Sequence, residues 1–488
     1  MTQYLVRMVQ AHETYRLPEL EALSRYVNTD IEVIEYKSSS PFCILEFRLH
    51  PDCTRSQYDS IARDFISRSI LSSAIYELWG SGTSYDELHD SVKQQSCLHW
   101  SAYTNTSFKF SFDTFRGKRS TVEQRDLIES FSYLPLRGEI DMKHPDEEFV
   151  VFEEWEALSP EVQALMNSAE TSSNIQIPVR KPERLFLGRK ISGSRRHLAE
   201  KHDLKKRPYI STTSMDAELA LVTATLALAG PGKLYLDPFV GTGGFMVAAA
   251  ELGAVTLGSD IDGRSFRGKG NGVQKGVGAN FHKYGLKSCF GDCITSDLIN
   301  TPFRPHVRWL DGIVCDPPYG VREGLKVLGR RLDGRSLPEE HGNAKRMADG
   351  SYEVDGVPSH TLPDFVAPKR PYSFNRMLDD ILEFAARSLV DGGRLAFWMP
   401  CANESEEQFE VPRHPSLQLK HICVQTFNKW SRRLLVYERQ PGDLSEAELS
   451  SALRKPGADK PGHSADDLNQ FRRMYFQGFA SGIKSHGA

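Results

Sequence analysis

Residues Leu234–Ala254 read LYLDPFVGTGGFMVAAAELGA. An apolar run of strand length ends in Asp237, passes through Gly241, Gly243 and Gly244, and enters an Ala-rich helix. Glycines in such a turn let the backbone approach a ligand closely, and a strand, a glycine turn and a helix in succession place that ligand at the carboxyl end of a sheet. A glycine turn needed only for tight packing is the competing reading. The spacing is neither GxGxxG nor GxxxxGK[ST], which disfavours a pyrophosphate cofactor or ATP and makes a dehydrogenase a weak choice.

Around this motif, from Pro208 to about Gln440, the chain repeats strand-then-helix units, the signature of a doubly wound α/β sheet. Seven strands are expected: LYLD from Leu234, VTLGSD from Val255, KSCFG from Lys287, DGIVCD from Asp311, RLAFWM from Arg394, LKHICVQTF from Leu419 and RLLVYE from Arg433. The last two, joined through NKWS, predict an antiparallel hairpin at the sheet edge. Two stretches are irregular. Gly263–Phe281 is glycine-rich where a helix belongs, and Val321–Pro371 is a long loop with almost no periodicity.

Acidic residues close successive strands. Asp260 in GSDID, with Asp262 beside it, stands where a carboxylate accepts hydrogen bonds from ribose hydroxyls. Asp292 in CFGDC is expected on the same rim, where it could receive an adenine amino group. Each alone would serve as well as a helix N-cap. Most informative are Asp316, Pro317, Pro318, Tyr319 and Gly320 at the end of the fourth strand. The exocyclic amine of a nucleobase is a poor nucleophile because its lone pair is delocalised into the ring. Alkylating it requires acceptors that orient the two N–H bonds, and the Asp316 carboxylate and Pro317 carbonyl can supply them. Two prolines stiffen the turn, and Tyr319 offers a ring on which a splayed base could stack. A rigid strand-end turn without chemistry is the bland alternative.

From Met1 to about Ser168 short apolar runs alternate with amphipathic stretches, which predicts a mixed α/β module. Pro18 and Pro41 are read as element starts, and Thr121 as a helix N-cap. Residues 169–207 are read as a linker and a basic segment, ETSSNIQIPVRKPER followed by GRKISGSRRHLAEKHDLKKR. Arg195, Arg196, Lys205, Lys206 and Arg207 are its candidate RNA-phosphate contacts, against the plain alternative of a solvated helix face. Residues 441–488 form a polar tail with a weakly docked terminal helix over LNQFRRMYFQGF.

Lys and Arg number 60 against 64 Asp and Glu, so nothing global advertises a nucleic-acid partner. No apolar run approaches the roughly 20 residues a bilayer crossing needs, and the start MTQYLVRMVQAHETY is no secretory signal. Eight scattered cysteines point to a reducing compartment rather than a disulfide scaffold. Cys289 and Cys293 have no second Cys or His pair at zinc-ligand spacing, so no metal site is expected.

The Asp316–Tyr319 turn in this strand order resembles the class I S-adenosylmethionine-dependent methyltransferases that carry a DPPY motif and methylate exocyclic amines. The segment LKKRPYISTTSMDAELALVTATLA, Leu204–Ala227, narrows the resemblance to the eukaryotic tRNA guanosine-10 N2-methyltransferase family, in its catalytic subunit. QAHETYRLPELEAL and GEIDMKHPDEEFVVFEEW are similar to that family's amino-terminal half, which holds a THUMP RNA-binding domain. The resemblance implies a Rossmann-like seven-stranded methyltransferase domain over residues 208–440, preceded by an α/β THUMP-containing region over 1–168. It implies that Thr213, Asp237, Gly241, Gly243, Asp260 and Asp292 contact S-adenosylmethionine, and that Asp316, Pro317, Pro318 and Tyr319 hold the guanine amine. It also implies tRNA as substrate, a small zinc-binding activator subunit as partner in a heterodimer, and a cytoplasmic location. The alternatives are a DPPY enzyme acting on another nucleobase or amide amine, and a noncatalytic tRNA-binding protein.

Overall fold

Contacts divide the chain into two units, Met1–Leu198 and Ala199–Ala488. The computed structural model describes residues 2–157, 180–268, 275–304, 307–322, 324–329, 344–346, 352–354, 356–358, 361, 369–402, 411–442 and 467–477. Among them no helix is long and apolar enough to cross a membrane.

The first unit is built on a seven-stranded sheet: β1 (Gln3–Met8), β2 (Ile31–Tyr36), β3 (Phe42–Phe47), β4 (Ser72–Gly82), β5 (Phe108–Phe115), β6 (Glu147–Trp155) and β7 (Pro182–Gly193). Their spatial order is β2-β3-β1-β4-β7-β6-β5. Tyr4, Val6, Phe47 and Phe65 pack in one core, and Trp79, Phe149, Leu185 and Leu187 in a second. Three sequence expectations change here. Pro18 lies inside the helix Glu13–Tyr26 rather than at its start; a proline there removes one i→i−4 bond, but the helix starts earlier, at Glu13. The N-cap of the helix Thr121–Glu129 is Ser120, which forms a capping box with Glu123, not Thr121. Residues 182–193, assigned by composition to the linker and basic segment, form β7 between β4 and β6. Their charges are answered inside the unit. Arg189 bridges Asp59 at 2.5 Å, Glu77 at 2.8 Å and Glu147 at 3.2 Å, and Lys190 bridges Glu148 at 2.8 Å.

The second unit carries the expected seven strands: β8 (Leu234–Asp237), β9 (Val255–Asp260), β10 (Phe290–Thr295), β11 (Leu310–Cys315), then β17 (Leu389–Ala402), β18 (Leu417–Thr426) and β19 (Trp430–Arg439). Between β11 and β17 the described residues form five short strands: β12 (Lys326–Leu328), β13 (Ala344–Arg346), β14 (Tyr352–Val354), β15 (Val357–Pro358) and β16 (Lys369–Pro371). The main sheet runs β10-β9-β8-β11-β17-β19-β18, parallel as far as β17 and antiparallel from there. The edge hairpin turns through residues 427–429, because Ser431 already pairs with Thr426 and the Phe427 amide donates to the Trp430 carbonyl at 2.8 Å. Its core centres on Ile313, Leu395, Phe397 and Tyr437, closed on one side by Phe374, Met377, Ile381 and Ala385 of the helix Phe374–Ser388.

The irregular stretches are partly structured. In Gly263–Phe281 a short helix Arg264–Arg267 and a second, Val277–Lys283, flank residues 269–274, which lie outside the described residues. The long loop is tied at its base by an antiparallel β12–β16 pair, Lys326 opposite Pro371 and Leu328 opposite Lys369. Most of the 441–488 tail lies outside the described residues, but its helix Gln470–Gln477 is seated firmly: Phe471 is 1% exposed.

Candidate active site

The sheet order reverses between β8 and β11, and in open α/β sheets ligands bind outside the carboxyl ends of the strands at that switch point. Asp237, Asp260 and Asp316 stand at the ends of, or directly after, β8, β9 and β11. They act on one another electrostatically. Burial pushes the Asp237 carboxyl well above the usual range, and Asp260 and Asp316 push it further. Burial likewise raises Asp260, although it accepts hydrogen bonds from the amides of Gly241 at 3.1 Å and Asp262 at 2.8 Å. Three carboxylates crowded into a partly enclosed rim are costly alone and favour a cation among them.

The glycine turn between β8 and the helix Gly244–Glu251 explains its own composition. Gly243 has φ 77° and a side chain there would meet Val277 at 2.6 Å. Gly241 has φ 47° and a Cβ on it would find only the Phe239 carbonyl at 3.9 Å, so its near face is open to a ligand. Thr213 is exposed on the loop 211–214, which is pinned over the turn by Ser214 Oγ and Thr242 Oγ1 at 2.8 Å. Asn280, fully buried, ties Tyr209 to the Thr242 carbonyl through its Nδ2. Sequence reading did not find Ser214 or Asn280; neither belongs to a spaced motif.

Asp292 is not where the sequence suggested. Lys287–Cys289 form a 3-10 turn rather than a strand, and β10 begins only at Phe290. Asp292 therefore falls at an irregularity early in the strand, exposed, with φ 102° and its carboxylate accepting from the Cys293 amide at 2.7 Å. It is Thr295 that pairs with Asp260.

At the Asp316-Pro317-Pro318-Tyr319 turn, the Tyr319 hydroxyl donates to Asp316 Oδ1, and Arg432 Nη1 of β19 lies 3.8 Å from Asp316 Oδ2. Arg432 is held in turn over the Trp398 ring and by Gln425 at 2.5 Å. Burial and the neighbouring Asp316 drive the Tyr319 phenol well above its ordinary value, so it stays a donor. The Tyr319 ring is met edge-on by Trp430 and Phe471. The terminal helix also grips the backbone: Asn469 Nδ2 donates to the Tyr319 carbonyl at 2.8 Å and Arg472 Nη1 to that of Gly320. Arg432, Trp430, Asn469 and Phe471 lie more than a hundred residues from the turn in sequence, and no local spacing could have pointed to them.

The basic segment divides between the two units. Arg195 is exposed, and Arg196 is half-buried and donates to the Ile70 carbonyl at 3.0 Å. Lys205 and Lys206 are exposed, Lys206 with Glu200 at 3.1 Å. Arg207 is a correction: it is only 5% exposed, packed beside Gly244, and is closed to an external phosphate.

Comparison with known proteins agrees with this architecture. The family profile described as "Tmrp11 THUMP N-terminal domain" matches residues 2–196. The tRNA (guanine(10)-N(2))-methyltransferase of Saccharomyces cerevisiae is 43% identical, over 98% of this chain and 100% of its own. That of Schizosaccharomyces pombe is 35% identical over 98% and 96%. The tRNA (guanine(10)-N(2))-methyltransferase TRMT11 of Mus musculus is 30% identical over 99% and 97%. An identity of 43% sustained from end to end, over a THUMP-type amino-terminal unit and a doubly wound unit with a glycine turn and an Asp-Pro-Pro-Tyr turn, shows that this chain belongs to the tRNA (guanine(10)-N(2))-methyltransferase family.

Proposed function

We propose that this chain transfers a methyl group from S-adenosylmethionine to the exocyclic N2 of guanosine 10 in tRNA, as the catalytic subunit of a cytoplasmic heterodimer with a small zinc-binding activator. The observation that carries it is the convergence of Asp237, Asp260 and the Asp316 turn on one rim beside an open glycine turn. Near full-length likeness to enzymes named for that reaction supports the substrate, and eight free cysteines support a reducing compartment.

The rim suits the cofactor: crowded carboxylates match a sulfonium and an ammonium, Asp260 suits a ribose diol, and Gly241 leaves room for close approach. When bound, that cofactor supplies an electrophilic methyl group. Asp316 and the Pro317 carbonyl accept the two N–H bonds of the guanine amine and turn its lone pair toward the methyl. Arg432 at one oxygen and the Tyr319 hydroxyl at the other hold the Asp316 carboxylate, so that little reorganisation is left for the transfer step. The amine proton, acidic once the new C–N bond exists, passes to Asp316.

The test is transfer of labelled methyl from S-adenosylmethionine to unmodified tRNA carrying guanosine or adenosine at position 10, with this chain alone and with the activator. Guanosine-dependent transfer that needs the activator is expected, and Asp316→Ala should lose at least about a hundredfold in turnover while still binding cofactor. Methyl groups mapped to another amine, or an Asp316→Ala variant with near-normal turnover, would refute the reading.

A further inference from the structure

A cleft of about 200 Å³ opens beside the Asp316–Tyr319 turn. Its floor includes Gly320, directly after Tyr319, and Asn469, whose side chain holds the Tyr319 carbonyl. Its walls carry Lys326 of β12, Lys369 and Arg370 of β16, and Arg472 of the terminal helix. Among the described residues four cations line it and no carboxylate does, in a chain whose net charge is −4. Lys326 and Arg370 are exposed; the Asp262 carboxyl is held below its usual range chiefly by its hydrogen bond from Arg264, and the charge of Lys369 adds to that. Arg472 is bound to the Gly320 carbonyl, so the cationic wall is fixed to the backbone of the turn itself.

We infer that this cleft holds a backbone phosphodiester of the RNA strand beside the base being methylated. The inference rests on the reading that the substrate is an RNA base seated at Asp316. A base presented there carries its own phosphodiesters with it, and the adjoining surface meets them with point charges and a guanidinium fork, which favours phosphate over a neutral ligand. Contacts of this kind position the strand without reading its sequence. They complement the turn, which holds the amine but offers nothing to the backbone. The segment long read as an irregular loop thereby gains a role, because its base, β12 with β16, supplies three of the four charges.

The experiment is tRNA binding by the full chain with its activator, across a salt series, for wild type and Lys326→Gln/Arg370→Gln. Both side chains are exposed, and an unchanged thermal melt confirms the fold. Loss of the one single-strand phosphate contact that the two side chains share should weaken binding several-fold and make the log–log salt slope shallower by about 0.7; Lys326→Gln alone should give about half that change in slope. A charge-matched variant outside the cleft, Lys283→Gln/Lys287→Gln, should leave both unchanged. Wild-type slope and affinity in the cleft variant, or equal losses in the matched control, would overturn the inference. The same samples are scored for the methylated nucleoside. A flattened slope with methyl groups away from guanosine 10 removes the proposed substrate position and keeps the cleft; guanosine-10 product with an unaltered slope does the reverse.

Discussion

At the scale of single residues the site is an electrostatic problem awaiting a cation. The Asp237 carboxyl is raised above its ordinary 3.8 chiefly by burial and then by Asp260 and Asp316. The native state therefore binds more protons than the unfolded chain as pH climbs above that value, and stability present at lower pH is lost as pH rises through the elevated native pKa. In the cofactor-free protein, melting temperature should fall across that interval, and Asp237→Asn should flatten the fall. Saturating S-adenosylmethionine should also flatten it, because a sulfonium offsets the ionised cluster, whereas the uncharged sulfur of S-adenosylhomocysteine should do so less. Differential scanning calorimetry over a pH series checks this, and identical slopes for wild type and variant would refute it. Asp237, Asp260 and Asp316 were all legible in the sequence, because each follows a strand-length apolar run. Asp292 was misplaced because a 3-10 turn consumed the residues read as a strand. Arg207 was misread because charge in a sequence says nothing of burial.

At the scale of elements, the hairpin β18–β19 and the terminal helix matter more than their sequences suggested. The sheet was legible strand by strand, since parallel core strands are short apolar runs between turn residues. What was not legible is that β19 delivers Arg432 to Asp316, and that Phe471 of the helix Gln470–Gln477 and Asn469 just before it seat against Tyr319. The terminal helix itself was legible over LNQFRRMYFQGF, but read as weakly docked, because its partner lies far away in the chain. Asn469 is 2% exposed, and removing it leaves the Tyr319 carbonyl short of a partner, a loss of about 1–3 kcal/mol. Asn469→Ala should thus lower kcat several-fold or more with little change in cofactor affinity, and Asn469→Gln should not rescue it fully, because the amide would overreach a fixed carbonyl. Steady-state kinetics beside cofactor titration would show it. An unaltered kcat would mean that the turn holds its shape without the helix.

For the whole molecule, the division at Leu198–Ala199 falls inside the 169–207 stretch read as linker and basic run, and β7 within that stretch belongs to the first sheet. Composition saw lysines and arginines; the structure spends Arg189 and Lys190 on internal ion pairs and leaves Arg195, Lys205 and Lys206 outward. The first unit has its own cores, and a chain of residues 1–198 should fold cooperatively alone, with a single melting transition and protected β1, β4 and β7 amides in hydrogen exchange. A broad, non-cooperative transition would show that it depends on the second unit.

The grip of Asn469 on Tyr319 spans 150 residues of sequence. A ribosome adding about 5–20 residues per second needs roughly 8–30 s to travel from one to the other. Throughout that interval the nascent chain carries its Asp-Pro-Pro-Tyr sequence without the element that braces it, so a fully braced turn is also a sign that translation has passed residue 472.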